Sequence, residues 1–416
     1  MKNRFFLFVA FACLAPAALL ANPGAPQVSN VAVQSSSGRA IVTYALDEDA
    51  IVTAEFFADG VAIPDENVQT LSGDINRKVA AGNGHSFTWK ACNDWPDNKV
   101  NAFTVRLTAW APLAPPDYMA VDLRADAPSP RVRYYASSNA VPGGVTSRIY
   151  KSDFLLMRRI PAAMVRHRQG SPTDTTVRGG NETAHYCTLS EDYYMAVYEF
   201  TEAQYALVGG SRAKTTSFDV ADGEDAQYYP LSGVYWKNDI RGDVSKTAAP
   251  ASGSIIGRLR TRTGLNTIDL PTDAQWEYAC RAGTTTTLYD GTESGYGGAS
   301  QEGYNRALAL AWFDGNANSH PHEVGLKIPN SWGLYDMLGN IREWCRDGKA
   351  AYANDANVAD PMLSGDYMMR GGCWHDGTYN CTSSARNDSH GGWSGEQNGN
   401  WKFYGFRPMC AIPAER

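Results

Sequence analysis

The chain has 416 residues, too many for one compact core, so two domains are the natural expectation. It is 43% hydrophobic and 19% charged, with 39 Gly and 11 Trp, which suits a loop-rich globular protein and not a disordered one. The net charge of −7, without any Lys/Arg block, points away from nucleic acid as a partner.

Residues 1–21 read as a secretory signal: Lys2 and Arg4, an apolar run from Phe5 to Leu20, and small residues at Ala17, Ala18 and Ala21. Cleavage near Ala18 to Ala21 is preferred over lipid attachment at Cys13, because the apolar run continues past that cysteine. No later stretch is long and apolar enough to span a bilayer. The mature protein is therefore expected to be secreted, periplasmic or on the cell surface, where disulfides persist. Setting Cys13 aside leaves seven of the eight cysteines, at 92, 187, 280, 345, 373, 381 and 410. An odd count means at least one free thiol or an intermolecular bond. Cys92 follows Trp89 in a strand-like segment and reads as a buried, inert thiol.

Residues 22–110 read as an all-β sandwich of immunoglobulin or fibronectin type. Val28 to Val33 and Ala40 to Leu46 alternate in polarity, and Ile51 to Phe57 is β-branched and aromatic. Phe87 to Trp89 and Val100 to Leu107 supply later strands. Turn signals separate them at 35–38, Asp59-Gly60, 72–74 and 82–84. No Cys…Trp…Cys pattern is present, so this expectation rests on strand rhythm alone. Residues 111–149 carry Pro112, Pro115, Pro116, Pro128, Pro130 and Pro142 and read as a stiff linker without regular structure.

The second domain is expected over 150–416. Tyr193 to Phe200 reads as a strand of alternating burial. Thr201-Glu202-Ala203-Gln204 fits a capping box opening a short helix that runs to Val208 and ends at Gly209. The same grammar recurs from Thr272 and Gln275 to Gly283, placing Trp276 and Cys280 on one helix face.

Four blocks then occur in order: the opening strands, Leu270 to Thr284, Asn330 to Cys345, and a closing segment. That last block reads Arg370-Gly371-Gly372-Cys373-Trp374, then Cys381 to Arg386, then Gly405-Phe406-Arg407. Together they resemble the sulfatase-modifying-factor family, whose best-known members are formylglycine-generating enzymes, across about residues 150–411. The resemblance implies an α+β, loop-rich C-type-lectin-like domain. It also implies oxidation of a client protein's cysteine by oxygen, with copper(I) held by two thiols. Aligned from Arg370, the second thiol falls on Cys381 and the first on Asp376, a poor ligand for a soft ion. Cys373 replaces a family serine and leaves a Cys373/Cys381 pair open, at a spacing of eight instead of five. Tyr404 stands where the family has an asparagine.

The resemblance further implies a structural calcium bound by the Asp336 and Glu343 side chains and the Gly339 and Ile341 carbonyls. The plainer alternative is that both acids cap amides and pair with Arg342 or Arg346. The family's other calcium site finds no match in Tyr304 to Pro321. Disulfides Cys280–Cys410 and Cys345–Cys381 are suggested by the same likeness, and a bridged Cys381 would be unable to bind copper. His320-Pro321-His322-Glu323 reads as a solvated loop more readily than a metal cluster, and His375-Asp376 lacks an assignable nucleophile.

Trp374, Asp376, Tyr379, Trp393, Trp401 and Tyr404 gather in the closing loop, with Asn380, Asn387 and Asn398. Two readings stand: ligand-binding aromatics and amides, or core filling. Three functions follow. The first is a recognition module for a protein, peptide or glycan, lacking one of the two copper thiols. The second is a metal-dependent oxidoreductase acting on protein or peptide thiols through Cys381 and Cys373. The third is a structural cell-surface component.

Overall fold

In the computed structural model the described residues are 25–127, 130–171, 182–210, 220–294, 301–348, 367–388 and 401–412. Residues 1–21, expected to be a signal segment, and Trp393 and Asn398 lie outside them, as do the side chains of Asn387 and Trp401. The chain divides into two compact units, with the break after Val145.

The first unit is built from β1 (Val28–Ser36), β2 (Arg39–Leu46), β3 (Ala50–Ala58), β4 (Val61–Ala62), β5 (Leu71–Gly73), β6 (Lys78–Val79), β7 (Gly82–Trp89) and β8 (Phe103–Trp110). One sheet runs β1-β2-β7-β5. The other runs β4-β3-β6, with β8 paired to β3 along its whole length. Ser37-Gly38 and Asp59-Gly60 have positive φ, the conformation that two-residue hairpin turns require. Alternation along β2 and β7 sends Val42, Tyr44, Phe87 and Trp89 inward, where they meet Phe56 and Phe103 in one core. Cys92 differs from expectation. It lies in a single helical turn, α1 (Ala91–Asp94), and is only partly buried, because Asp94 folds the chain back to accept from Trp89 Nε1 and Thr70.

The proline-rich stretch is also more ordered than its composition predicts. It carries an antiparallel hairpin of β9 (Tyr118–Asp122) and β10 (Val132–Tyr135). The prolines fall outside the paired residues, so no ladder hydrogen bond is lost.

The second unit combines short strands with four helices of six to ten residues among its described parts. Its strands are β11 (Phe154–Ile160), β12 (Arg166–Gln169), β13 (His185–Thr188), β14 (Tyr193–Ala196), β15 (Ile268–Asp269), β16 (Arg342–Gly348), β17 (Tyr367–Arg370), β18 (Asn387–Asp388), β19 (Tyr404–Gly405) and β20 (Met409–Ala411). One sheet path is β11-β14-β20-β15, and another is β18-β17-β16-β19. The run Tyr193 to Phe200 does not alternate: every residue is buried. Strands pair on both of its edges and its second half is bonded to Leu156 and Phe406, so it is an interior strand, and side chains on both of its faces are buried.

Both capping boxes form. Thr201 opens α2 (Glu202–Leu207) and Thr272 opens α4 (Asp273–Arg281), each with reciprocal bonds to the glutamine three residues on. Between them lies α3 (Ile255–Thr263), and α5 (Gln301–Leu310) follows. Helix α4 is the hub. Trp276 and Cys280 enter the main core together, while Asp273 and Glu277 on its other side meet Arg370, Arg281 and Arg386 in a buried ion network. Among the described residues, no helix is long and apolar enough to cross a membrane.

Candidate functional site

Two sequence blocks are brought together by backbone bonds. The turn 336–343 lies beside the strip 370–376, through Gly339 N–H to Gly371 O at 2.8 Å and Trp374 N–H to Asn340 O at 2.9 Å. On its other side, Asn340 N–H donates to Trp312 O. Asp336, Gly339 and Asn340 all have positive φ, a conformation that Gly, Asp and Asn tolerate best. A Cβ at Gly339 would lie 2.1 Å from Trp312 O, so only glycine fits. Strand β16 pairs antiparallel with β17 and parallel with β19, setting Arg342 opposite Tyr404 and Glu343 opposite Arg370.

Asp376, at the first thiol position, is almost fully buried. Its carboxylate accepts a two-point fork from Arg342, Nε at 2.9 Å and Nη2 at 2.5 Å. It also accepts from Cys373 N–H at 2.9 Å and Asn380 Nδ2 at 3.3 Å. Four donors fill the acceptor capacity of a carboxylate. Burial opposes the Arg342 charge, but the acidic groups of Cys373 and Asp376 outweigh it and raise its pKa.

Cys381 is buried, with its S–H directed to the Cys373 carbonyl at 3.9 Å. Burial pushes both the Cys373 and Cys381 thiols up, and the Asp376 charge adds to this. Neither is therefore a ready thiolate at neutral pH. Two thiolates at the family positions are not available to copper, and the residues at 376 and 381 do not fit that ion.

The suggested disulfides are not present among the described residues. Cys280, Cys345 and Cys381 are free thiols. Cys280 points to Met337 O and Ser383 Oγ, and burial raises its pKa to about 12.

The four ligands implied for calcium divide. Both oxygens of Glu343 are occupied by Arg407, at 2.7–3.1 Å, and by Trp276 Nε1 at 2.6 Å. Its partner is thus Arg407, and neither Arg342 nor Arg346. Asp336 accepts Gly325 N–H on Oδ2, while its Oδ1 is buried without any hydrogen-bond partner. That orphaned oxygen fits a hard cation; the Glu343 carboxylate does not. Among the described residues, no group of three His, Cys, Asp or Glu side chains is arranged to hold a metal, so any cation here would rely on backbone carbonyls as well.

Sequence reasoning missed Glu199. It is buried beside this turn, accepting from Asn340 Nδ2 at 2.7 Å and Ile341 N–H at 3.1 Å. Burial raises its pKa well above the usual carboxylate range, helped by Asp336 and Glu343. Burial also lifts Asp336, to about 6. The Tyr-Glu-Phe that ends a buried strand was the available signal: a lone acid in an otherwise apolar run needs a partner.

The aromatic residues of the closing loop also divide. Trp374 is buried against Phe403, with ring centres 4.9 Å apart, and fills a small core. Tyr404 is half-buried against Trp344 and Tyr235. Tyr379 is 44% exposed, and His375 is exposed as well, with its ring 5.2 Å from that of Phe403. His322 is not in a solvated loop. It stacks on Trp312 with ring centres 3.7 Å apart, and its nitrogens face Glu224 at 2.7 Å and Ala317 O at 3.1 Å. Glu224 is 98 residues away in sequence, which hid that contact.

Residues 157–411 match the family described as sulfatase-modifying factor enzyme 1-like domain, and the chain belongs to that family. Chaperone protein LppX of Paenibacillus barcinonensis is 26% identical over 38% of this chain and 62% of its own length. The formylglycine-generating enzyme of Mycobacterium tuberculosis is 31% identical over 24% of this chain and 40% of its own. The chain thus spans less than two thirds of either relative. Treponema denticola variable protein 1 is a similar solved structure, with 22% identity and a TM-score of 0.48 over 62% of this chain and 95% of that one. PvdO from Pseudomonas aeruginosa gives 20%, 0.46, 62% and 95%.

Proposed function

We propose that this protein is a recognition module built on a formylglycine-generating-enzyme-like domain, and that it is exported from the cytoplasm. The observation that carries this reading is the Asp376–Arg342 fork. Where copper chemistry needs a soft thiolate, this chain has a hard carboxylate already saturated by hydrogen bonds. The fork also ties Asn380 and the Cys373 backbone into one rigid loop. Rigid presentation lowers the entropy lost on binding, and Tyr379, His375 and half-buried Tyr404 are the side chains offered to a protein, peptide or glycan. In this reading the lectin-like second unit binds, and the first unit, an immunoglobulin-like sandwich, is a spacer or docking platform.

Copper(I) titration of the mildly reduced full chain, followed by thiol mapping, tests the proposal. The expected result is no stoichiometric copper binding and unprotected Cys373 and Cys381. The approach of Cys381 Sγ to the Cys373 backbone is what favours the second reading, a thiol oxidoreductase using that pair. Tight one-to-one copper binding that protects both cysteines, and is lost in Cys381→Ser, would establish it and sink the first.

A further inference from the structure

One stretch of the second unit runs against the charge of the whole chain. Residues 154–171 hold four arginines and one histidine but no Asp or Glu, in a chain of net charge −7. Two of those arginines, Arg166 and Arg168, lie on β12, whose antiparallel partner is β13. Side chains alternate across a strand, so both arginines share a face with their cross-strand partners Thr188 and Tyr186. That face is the solvent side: Arg166 and Tyr186 are exposed, and Arg168 and Thr188 are half-buried. The opposite side is anchored on α4. Gln169 Nε2 donates to Ala274 O at 2.7 Å, and the His167 ring lies 4.4 Å from that of Tyr278. The outer face therefore stands on a fixed backing, and little freedom is lost when a ligand settles on it.

Its side chains suit an anion. Arg166 lies over the Tyr186 ring, with Cζ 3.7 Å from the ring centre. Stacking uses the face of a guanidinium and none of its N–H donors, which lie in the plane and bind a carboxylate through paired hydrogen bonds. Among the described residues no Asp or Glu is paired with Arg168. Asp192, close by, is taken by Arg159 and by the Ala162 and Ala163 amides. Along an extended strand, Arg166 and Arg168 are roughly 6.5–7 Å apart, the spacing of alternate side chains in any extended peptide. Next to them Met164 is 76% exposed, and its N–H continues the ladder to Leu189 O at 2.9 Å. An apolar side chain beside paired cations favours a peptide over a polysaccharide, which has no comparable group to cover it.

We propose that the outer face of the β12–β13 hairpin docks an extended acidic segment of a partner protein. Carboxylates on alternate residues of that segment meet Arg166 and Arg168, and a neighbouring apolar residue covers Met164. None of these residues belongs to the closing loop, so this surface is separable from the one assigned to recognition above.

The test uses the full chain and a short fluorescent peptide in which Glu alternates with Thr and one end carries Leu, followed by anisotropy at low salt. Saturable binding that weakens as salt rises is expected. It should be at least about tenfold weaker in Arg166→Ala and in Arg168→Ala, the loss of one charge-assisted pair. Arg106→Ala, which removes the exposed Arg106–Glu55 pair of the first unit, should bind as the wild type does. Thermal unfolding midpoints should stay near the wild-type value, because both arginines lie on the solvent face. If Arg166→Ala does not fold, Arg168→Glu is judged by the same tenfold criterion. Absence of saturable binding would overturn the proposal. So would equal affinity for a peptide of the same composition with its Glu residues contiguous, since charge alone would then suffice. Loss of binding in Tyr379→Ala would place the peptide on the closing loop and overturn it too, as would tighter binding of polygalacturonate through the same two arginines.

Discussion

Asp376, which the family resemblance aligns with a thiol, ties the closing loop to strand β16. The acid brings its own partner requirement, and Arg342 meets it from the adjacent strand. The guanidinium is only 20% exposed, so removing the acid strands a largely desolvated charge. Asp376→Ala should therefore cost roughly 2–4 kcal/mol in urea unfolding. Asp376→Asn keeps the shape and one acceptor and should cost about half of that. Equal losses in the two variants would mean that the fork's charge contributes nothing. Asp376 was singled out in the sequence because the family alignment placed it on a thiol. Its partner was not, because an arginine thirty-four positions earlier reaches it only once β16 and the closing loop are side by side.

At the scale of elements, α4 ties together β12, β16 and β17 in the second unit. Its N-terminus is held twice: Thr272 accepts Gln275 N–H, and the Asp273 N–H donates to Asp347 Oδ1 at 2.7 Å. Its charged face carries the Arg370 network, and Trp276 reaches Glu343. A cap of this kind is worth about 1 kcal/mol, so Thr272→Ala should lower stability by about that much. Thr201→Ala should cost more, because the Thr201 hydroxyl also donates to the Lys151 carbonyl at 2.8 Å. Chemical denaturation of the two variants in parallel gives the ranking. The reverse order would show that the α2 cap is not coupled to the segment before β11. These caps were legible in the sequence because they are local: four residues contain both partners. The part of the network that Arg370 supplies was not, since it lies 93 to 97 residues from Glu277 and Asp273.

Across the whole molecule, buried acids shape the dependence of stability on pH. Burial, together with the nearby Asp273, raises Asp347 from an ordinary 3.8 to about 8. The folded state therefore holds this proton where the unfolded state has lost it. The resulting stability is complete below the unfolded value and is lost as pH rises through about 8. Lys327, pulled down by burial to about 8, acts in the opposite sense at higher pH. The informative measurement is the difference between wild type and Asp347→Asn. Wild type should lose stability relative to the variant between about pH 4 and pH 8, and the gap should be constant above that. A parallel pair of pH profiles would show that Asp347 carries no buried proton.

The sequence by itself determined the family and its order of motifs, the hairpin turns at Ser37-Gly38 and Asp59-Gly60, and both capping boxes. Each of these depends on residues a few positions apart, where backbone sterics and local hydrogen bonds decide. Tertiary structure decided the rest. It turned the Pro-rich stretch into a hairpin, left Cys280, Cys345 and Cys381 unbridged, buried Trp374 and His322, and matched Glu343 with Arg407 and Asp376 with Arg342. It also brought Glu199 to the turn at Asn340. These are pairings between charges and hydrogen-bonding groups far apart in the chain. Their partners are chosen by which strands lie side by side and by the cost of leaving any buried polar group alone, and neither can be read from spacing along one strand of sequence.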